Sequence, residues 1–161
     1  MNIFHLDEDF EQSAAYHIDK HIVKIPLECA QMLSTANRSL GLNEGYRSAY
    51  LNHPMTVWSR TCIENWLWMK SYALTLNEEW RFRYDHSHNH KAIQMILSLT
   101  EPLGLLPSLG RITLHPLCMP EYCQIPGNTV ESYRNYYILE KSKIASWKSP
   151  RTQPEWFSPR I

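Results

Sequence analysis

The sequence predicts a mainly α fold: a single-domain helical bundle of three to four helices with long irregular connections. Apolar residues recur at helical spacing from Phe10 to about Ala36, and a second apolar-rich stretch runs from Pro54 to about Tyr84. Between Glu101 and Gly127, five prolines and three glycines exclude regular structure. At 161 residues the chain suits one domain that buries roughly two thirds of the surface its unfolded form exposes. No internal repeat or compositional shift divides it.

The first eight residues form an N-terminal arm, in which MNIFHL is too short and mixed to classify beyond extended chain or a brief strand. Asp7, Glu8 and Asp9 suit the positive end of a helix, with Asp9 as N-cap. Ala14, Ile18, Ile22, Ile25, Cys29, Met32 and Leu33 then predict one continuous helix, bent where Pro26 removes a ladder hydrogen bond. Asn37 to Asn52 is polar with two glycines and reads as a surface loop. The second helix enters through Pro54 and is apolar over more than half its circumference, which makes it the central helix. DHSHNH ends it at Asp85, and Lys91 to Leu99 forms a short third helix. After the irregular stretch, where binding loops tend to lie, Asn128 or Thr129 caps a last helix through Trp147. The proline-rich tail 149–161 is expected to lie across the surface.

Lys plus Arg and Asp plus Glu each number 16, so no global basic field marks the chain as a strong non-specific polyanion binder. The charge is uneven: residues 1–31 carry six acids and two bases, whereas 129–161 carry six bases and three acids. A polyanion would dock toward the C-terminal third. The acidic first turns are unlike a secretory leader, so the four cysteines are expected as reduced thiols in a cytoplasmic protein. No apolar run approaches the ~18 residues of a membrane span.

Within YHIDKHIVKIPLECAQ, residues His17, His21, Lys24 and Glu28 fall at steps of four, three and four and share one helical face. One reading is a solvated face with an ordinary Lys24–Glu28 pair. Against it, histidines are poor solvating residues, and two spaced by four project toward one point. Two histidines at i and i+4 with a carboxylate are a ligand set zinc accepts, but Glu28 lies about 10 Å along the axis from His21, too far to join one coordination sphere unless Pro26 bends the helix strongly. His86, His88 and His90 suit a polar helix-ending loop better than a metal site, and Cys118 and Cys123 lack the second pair a zinc knuckle needs. No metal and no cofactor are assigned.

DKHIVKIPLE, Asp19 to Glu28, resembles the opening helix of the pyrimidine-dimer DNA glycosylases of the phage endonuclease V type, in which an aspartate, a histidine two residues later and a glutamate seven further share this register. Asn52 to Arg83 is similar to the second long helix of that family, entered through an Asn-His-Pro-x-x-x-Trp pattern. SYRNYYILEK, Ser132 to Lys141, is similar to its aromatic and basic C-terminal segment. Leu27 and Gln31 stand where the family carries arginines, and the arm is about six residues longer.

The resemblance implies cleavage of the N-glycosidic bond of a damaged or modified pyrimidine, followed by β-elimination. The nucleophile would be an N-terminal α-amine, here Met1, since Asn2 is bulky enough to retain the methionine. An α-amine has an ordinary pKa near ~8 against ~10.4 for lysine, so more of it is neutral at physiological pH. Glu28 would stabilise the cationic sugar and move the elimination proton, and His21 would orient the sugar or phosphate. Substrate contacts would come from His17, Lys24, Asn52, His53, Arg60, Tyr133, Arg134, Tyr137 and Lys141. The partner would be DNA or a nucleotide, with no protein partner assigned. Cleavage of a free nucleotide, non-catalytic nucleotide binding and metal-dependent hydrolysis are the competing readings.

Overall fold

The computed structural model describes residues 1–158. Among the described residues there are six α-helices: α1 (Phe10–Tyr16), α2 (Asp19–Ser39), α3 (Pro54–Ser59), α4 (Ile63–Tyr84), α5 (Lys91–Ser98) and α6 (Thr129–Tyr136). A π-helical turn, Tyr137–Lys141, continues α6, and a 3-10 turn, Ser142–Ile144, follows it. No strand occurs among the described residues. The mainly α class holds, while the helix number exceeds three to four because both long predicted helices are broken.

The first break falls at His17 and Ile18, whose ψ values of 135° and 154° are extended. Periodicity alone favours continuity there, but the carbonyls freed by the break find partners from distant parts of the chain. Arg83 donates to the carbonyls of Ala15 and His17 at 3.2 and 2.7 Å, and the Trp147 indole donates to that of Tyr16 at 3.0 Å. The Asp19 amide reaches Ser146 O at 2.9 Å. With these groups satisfied, leaving the helix costs little. The second break, at Arg60 to Cys62, is held in the same way: Asn65 Nδ2 donates to Trp58 O at 2.8 Å, and the Ile63 amide donates to Pro107 O at 3.0 Å. Pro26 does not end α2, which runs through it.

Helix starts agree with the sequence. Asp9 accepts from the Gln12 amide and Asn128 from the Glu131 amide, each as N-cap. α2 and α4 pack together through the core, where the Trp66 indole donates to Asn37 Oδ1 at 2.9 Å.

The two terminal segments pack against the helices to different depths. The arm is extended, and Ile3 and Leu6 are completely buried. Its main-chain groups are met by helix side chains: Ser13 Oγ accepts from the Leu6 amide, Tyr72 donates to Phe4 O, and Arg134 Nε donates to Leu6 O. The tail runs along the surface, with Thr152, Gln153 and Glu155 exposed, and inserts Pro154 and Phe157 into the interior. Residues 159–161, the end of the predicted tail, lie outside the described residues.

Arg83 is 2% exposed and binds Glu79 at 2.8 Å and Asp19 at 3.1 Å, while Arg151 in the tail closes on Glu79 at 2.7 Å. Removing one partner strands the others in low dielectric. Arg83→Met is therefore expected to lower the unfolding free energy by about 3–5 kcal/mol in urea titration; a loss under about 1 kcal/mol would show that the network is not structurally required.

Candidate active site

The arm begins where it meets α2. The Asn2 amide donates to Glu28 Oε2 at 2.7 Å, and the Asn2 side chain folds over Cys118 O and the amide of Ile3 at 2.8 Å each. One residue spans at most about 3.7 Å from nitrogen to nitrogen, so the Met1 nitrogen lies within about 6.5 Å of that carboxylate oxygen. Glu28 Oε1 faces Lys24 Nζ at 3.2 Å, with Glu28 nearly buried and Lys24 largely exposed.

These groups border a cavity of about 220 Å³ lined by Met1, Asn2, Phe4, His21, Lys24, Ile25, Glu28, Cys118, Tyr136 and Lys141. Phe4, held at φ 48°, stacks on His21 with ring centroids 4.2 Å apart and lies parallel to Tyr136 at 5.7 Å. A non-glycine residue at positive φ is uncommon; here it turns the arm so that Phe4 packs inward and Met1 comes back to α2. Lys141 Nζ sits 4.6 Å above the Tyr136 ring.

His21 is largely desolvated and faces His17, Lys141 and Lys24, which together hold its pKa down to about 3. It is a neutral imidazole at physiological pH. Its Nδ1 pairs with Tyr137 Oη at 2.7 Å. His53 caps α3, and its pKa is lowered by burial and by the charge of the Met1 amine, while Glu28 opposes the shift. His53 thus borders the same charge pair from α3.

The structure brings Met1, His21, Lys24, Glu28 and Lys141 together and leaves other predicted residues elsewhere. His17 precedes α2 and is sealed in the core with a carbonyl at each ring nitrogen, Ser13 O 2.8 Å from Nδ1 and Ile3 O 3.3 Å from Nε2, and its neutral ring donates its single N–H to one of them. It fixes the arm and does not line the cavity. Tyr133 is buried and donates to Pro116 O. Arg134 is tied to Asp7, Glu131 and Leu6 O. Asn52 is exposed and Arg60 bends back to Leu51 O, both outside the cavity lining. Tyr137 is fully buried, outside the cavity lining, and meets the site through its hydrogen bond to His21 and an edge contact with Phe4 at 5.3 Å.

Asn2, Phe4, Ile25, Cys118 and Tyr136 line the cavity without having been singled out. Asn2 and Phe4 sit in the arm that no periodicity classifies, and Cys118 comes from the irregular stretch. Tyr136 neighbours a predicted residue, but an α-helical period sets it off the face of Lys141. Among the described residues, no three His, Cys, Asp or Glu side chains are grouped to hold a metal ion. In the HSHNH loop, His86 packs on Trp80 with centroids 4.0 Å apart, and His90 caps α5. A larger cavity, about 690 Å³, opens beside His5, Glu8, Arg111 and His115, remote from the Glu28 carboxylate in its lining. No helix of the described residues is long and apolar enough to cross a membrane.

A family model described as pyrimidine dimer DNA glycosylase matches residues 1–92. No curated protein and no solved structure matches significantly.

Four buried histidines share one physical state. His17 is pushed down to about 4, His21 and His115 to about 3, and His5 is lowered, each chiefly because burial penalises the cation. The unfolded chain binds more protons below the ordinary value of 6.5, so their contribution is intact above pH 6.5 and lost as pH falls toward 4. The unfolding free energy is expected to drop between pH 7 and 5.5, by on the order of 1 kcal/mol for each of His17, His21 and His115. A flat profile over that interval would contradict the desolvated, neutral assignment.

Proposed function

Because the chain belongs to the pyrimidine dimer DNA glycosylase family, we propose that it cleaves the N-glycosidic bond of a damaged or modified pyrimidine in DNA, with Glu28 and the Met1 amine as its catalytic groups. The observation that carries this reading is the Asn2 amide bound to Glu28 Oε2 at 2.7 Å, which holds the first residue of the chain over the carboxylate.

In the proposed sequence the Met1 nitrogen attacks C1′. The C1′–N bond breaks and its electron pair leaves with the base, which takes up a proton. The attacking amine gives up one proton and the ring oxygen takes one up as the sugar opens, giving a protonated imine between Met1 and C1′. Glu28 stabilises the positive charge that develops at C1′ and the nitrogen, then removes a proton from C2′. The resulting electron pair expels the 3′ phosphate, breaking the strand, and water hydrolyses the imine to free the amine. Lys24 and Lys141, on either side of the cavity, supply positive charge for the flanking phosphates. The four free thiols suit a reducing, cytoplasmic setting.

A second reading, cleavage of a free nucleotide, is favoured by the small cavity and by Leu27, which is 37% exposed at a position where the family carries an arginine. Salt dependence separates the two. Duplex binding weakens steeply with added salt through counterion release, whereas mononucleotide turnover changes little.

Borohydride reduction in the presence of DNA with an abasic site is expected to trap a covalent adduct that peptide mapping places on Met1. Glu28→Gln should lower strand cleavage at least ~100-fold, the usual effect of removing a positioned acid–base group. Failure to trap any adduct, or an adduct confined to a lysine side chain, would sink the terminal-amine mechanism.

A further inference from the structure

The π turn after α6 performs a specific geometric task. In an α-helix, residues five apart point about 140° away from each other, whereas a π turn widens the ring to i→i+5 and brings them onto one side. Tyr136 and Lys141 are five apart, both line the cavity, and Lys141 Nζ lies over the Tyr136 ring. The same turn buries Tyr137 and sets its hydroxyl 2.7 Å from His21 Nδ1. Single π turns of this kind occur frequently at functional sites.

The hydrogen bond between Tyr137 and His21 has a direction. Tyr137 is completely buried, and His21 is the one hydrogen-bond partner of its hydroxyl among the described residues. The phenol proton needs an acceptor in this buried position, and His21 Nδ1 is the partner within reach. Tyr137 therefore donates, His21 Nδ1 accepts, and the neutral ring carries its proton on Nε2. That nitrogen has no protein partner and is not among the sealed polar atoms, and the His21 ring borders the cavity that holds Glu28. Phe4, stacked on the ring face, prevents it from turning.

We infer that Tyr137 is a positioning residue that fixes the tautomer and orientation of His21, so that an Nε2–H donor faces the sugar or phosphate oxygen of the bound substrate. This assignment rests on the reading of the cavity as a glycosidic site. Tyr137 touches no substrate. It acts through His21, in the way that a partner on one imidazole nitrogen sets the role of the other.

The test combines a measurement without substrate and one with it. In the full-length wild-type protein, nitrogen NMR of the assigned His21 ring should show a protonated Nε2 and an unprotonated Nδ1 at neutral pH. Tyr137→Phe should lower kcat for cleavage of abasic DNA about 10-fold with KM little changed, and should mix the two His21 tautomers. A wild-type ring protonated on Nδ1 overturns the inference, even if Tyr137→Phe does not fold. So does a folded Tyr137→Phe protein with unchanged kcat or with a KM effect alone. A wild-type protein inactive on abasic DNA that nonetheless shows the Nε2–H tautomer would instead remove the glycosidic reading and leave the tautomer assignment standing.

Discussion

The constraint on which the rest of the structure depends is the burial of an extended N-terminal arm. A chain segment outside helices or sheets carries main-chain donors and acceptors that cost free energy if left unpaired away from water. Here the partners are side chains. Glu28 takes the Asn2 amide, Tyr72 meets Phe4 O, Ser13 takes the Leu6 amide and Arg134 meets Leu6 O. Four polar residues that look unrelated along the sequence are thereby devoted to one extended segment of backbone, and one of them is the carboxylate of the proposed active site.

That arrangement also determines the electrostatics of the cavity. Threading the arm past α2 dries the space around His17 and His21, and the neighbouring lysines further oppose charging of His21. Tyr72, Tyr133 and Tyr137 are pushed upward by the same burial, so they act as hydrogen-bond donors and not as acids. The site is thus built from neutral rings around one carboxylate and a small number of cations.

Local signals in the sequence were readable because local physics sets them. Asp9 and Asn128 cap the helices they precede, and the proline-rich 101–127 stretch holds only a 3-10 turn, Glu121–Cys123. The His21, Lys24 and Glu28 register on α2 was legible for the same reason. What escaped depends on partners far away in the chain. The break before α2 needs Arg83 and Trp147 to meet carbonyls that a helix would otherwise use. MNIFHL is too short to show a period, so its burial could not be read, and neither could the inward turn of Phe157. Tyr136 was missed because a 3.6-residue repeat does not describe a π turn.

The ties between the two ends have a consequence for biogenesis. Arg134 holds Leu6 across 128 residues, and Trp147 holds Tyr16 across 131. Such distant pairings cannot form while the C-terminal third is still inside the ribosome, and closing them late is a feature of high contact order. The nascent chain can assemble α2 and α4 early, yet the arm has its anchors only after nearly everything has been synthesised. A ribosome that stops short would release a helical core without a seated N-terminus.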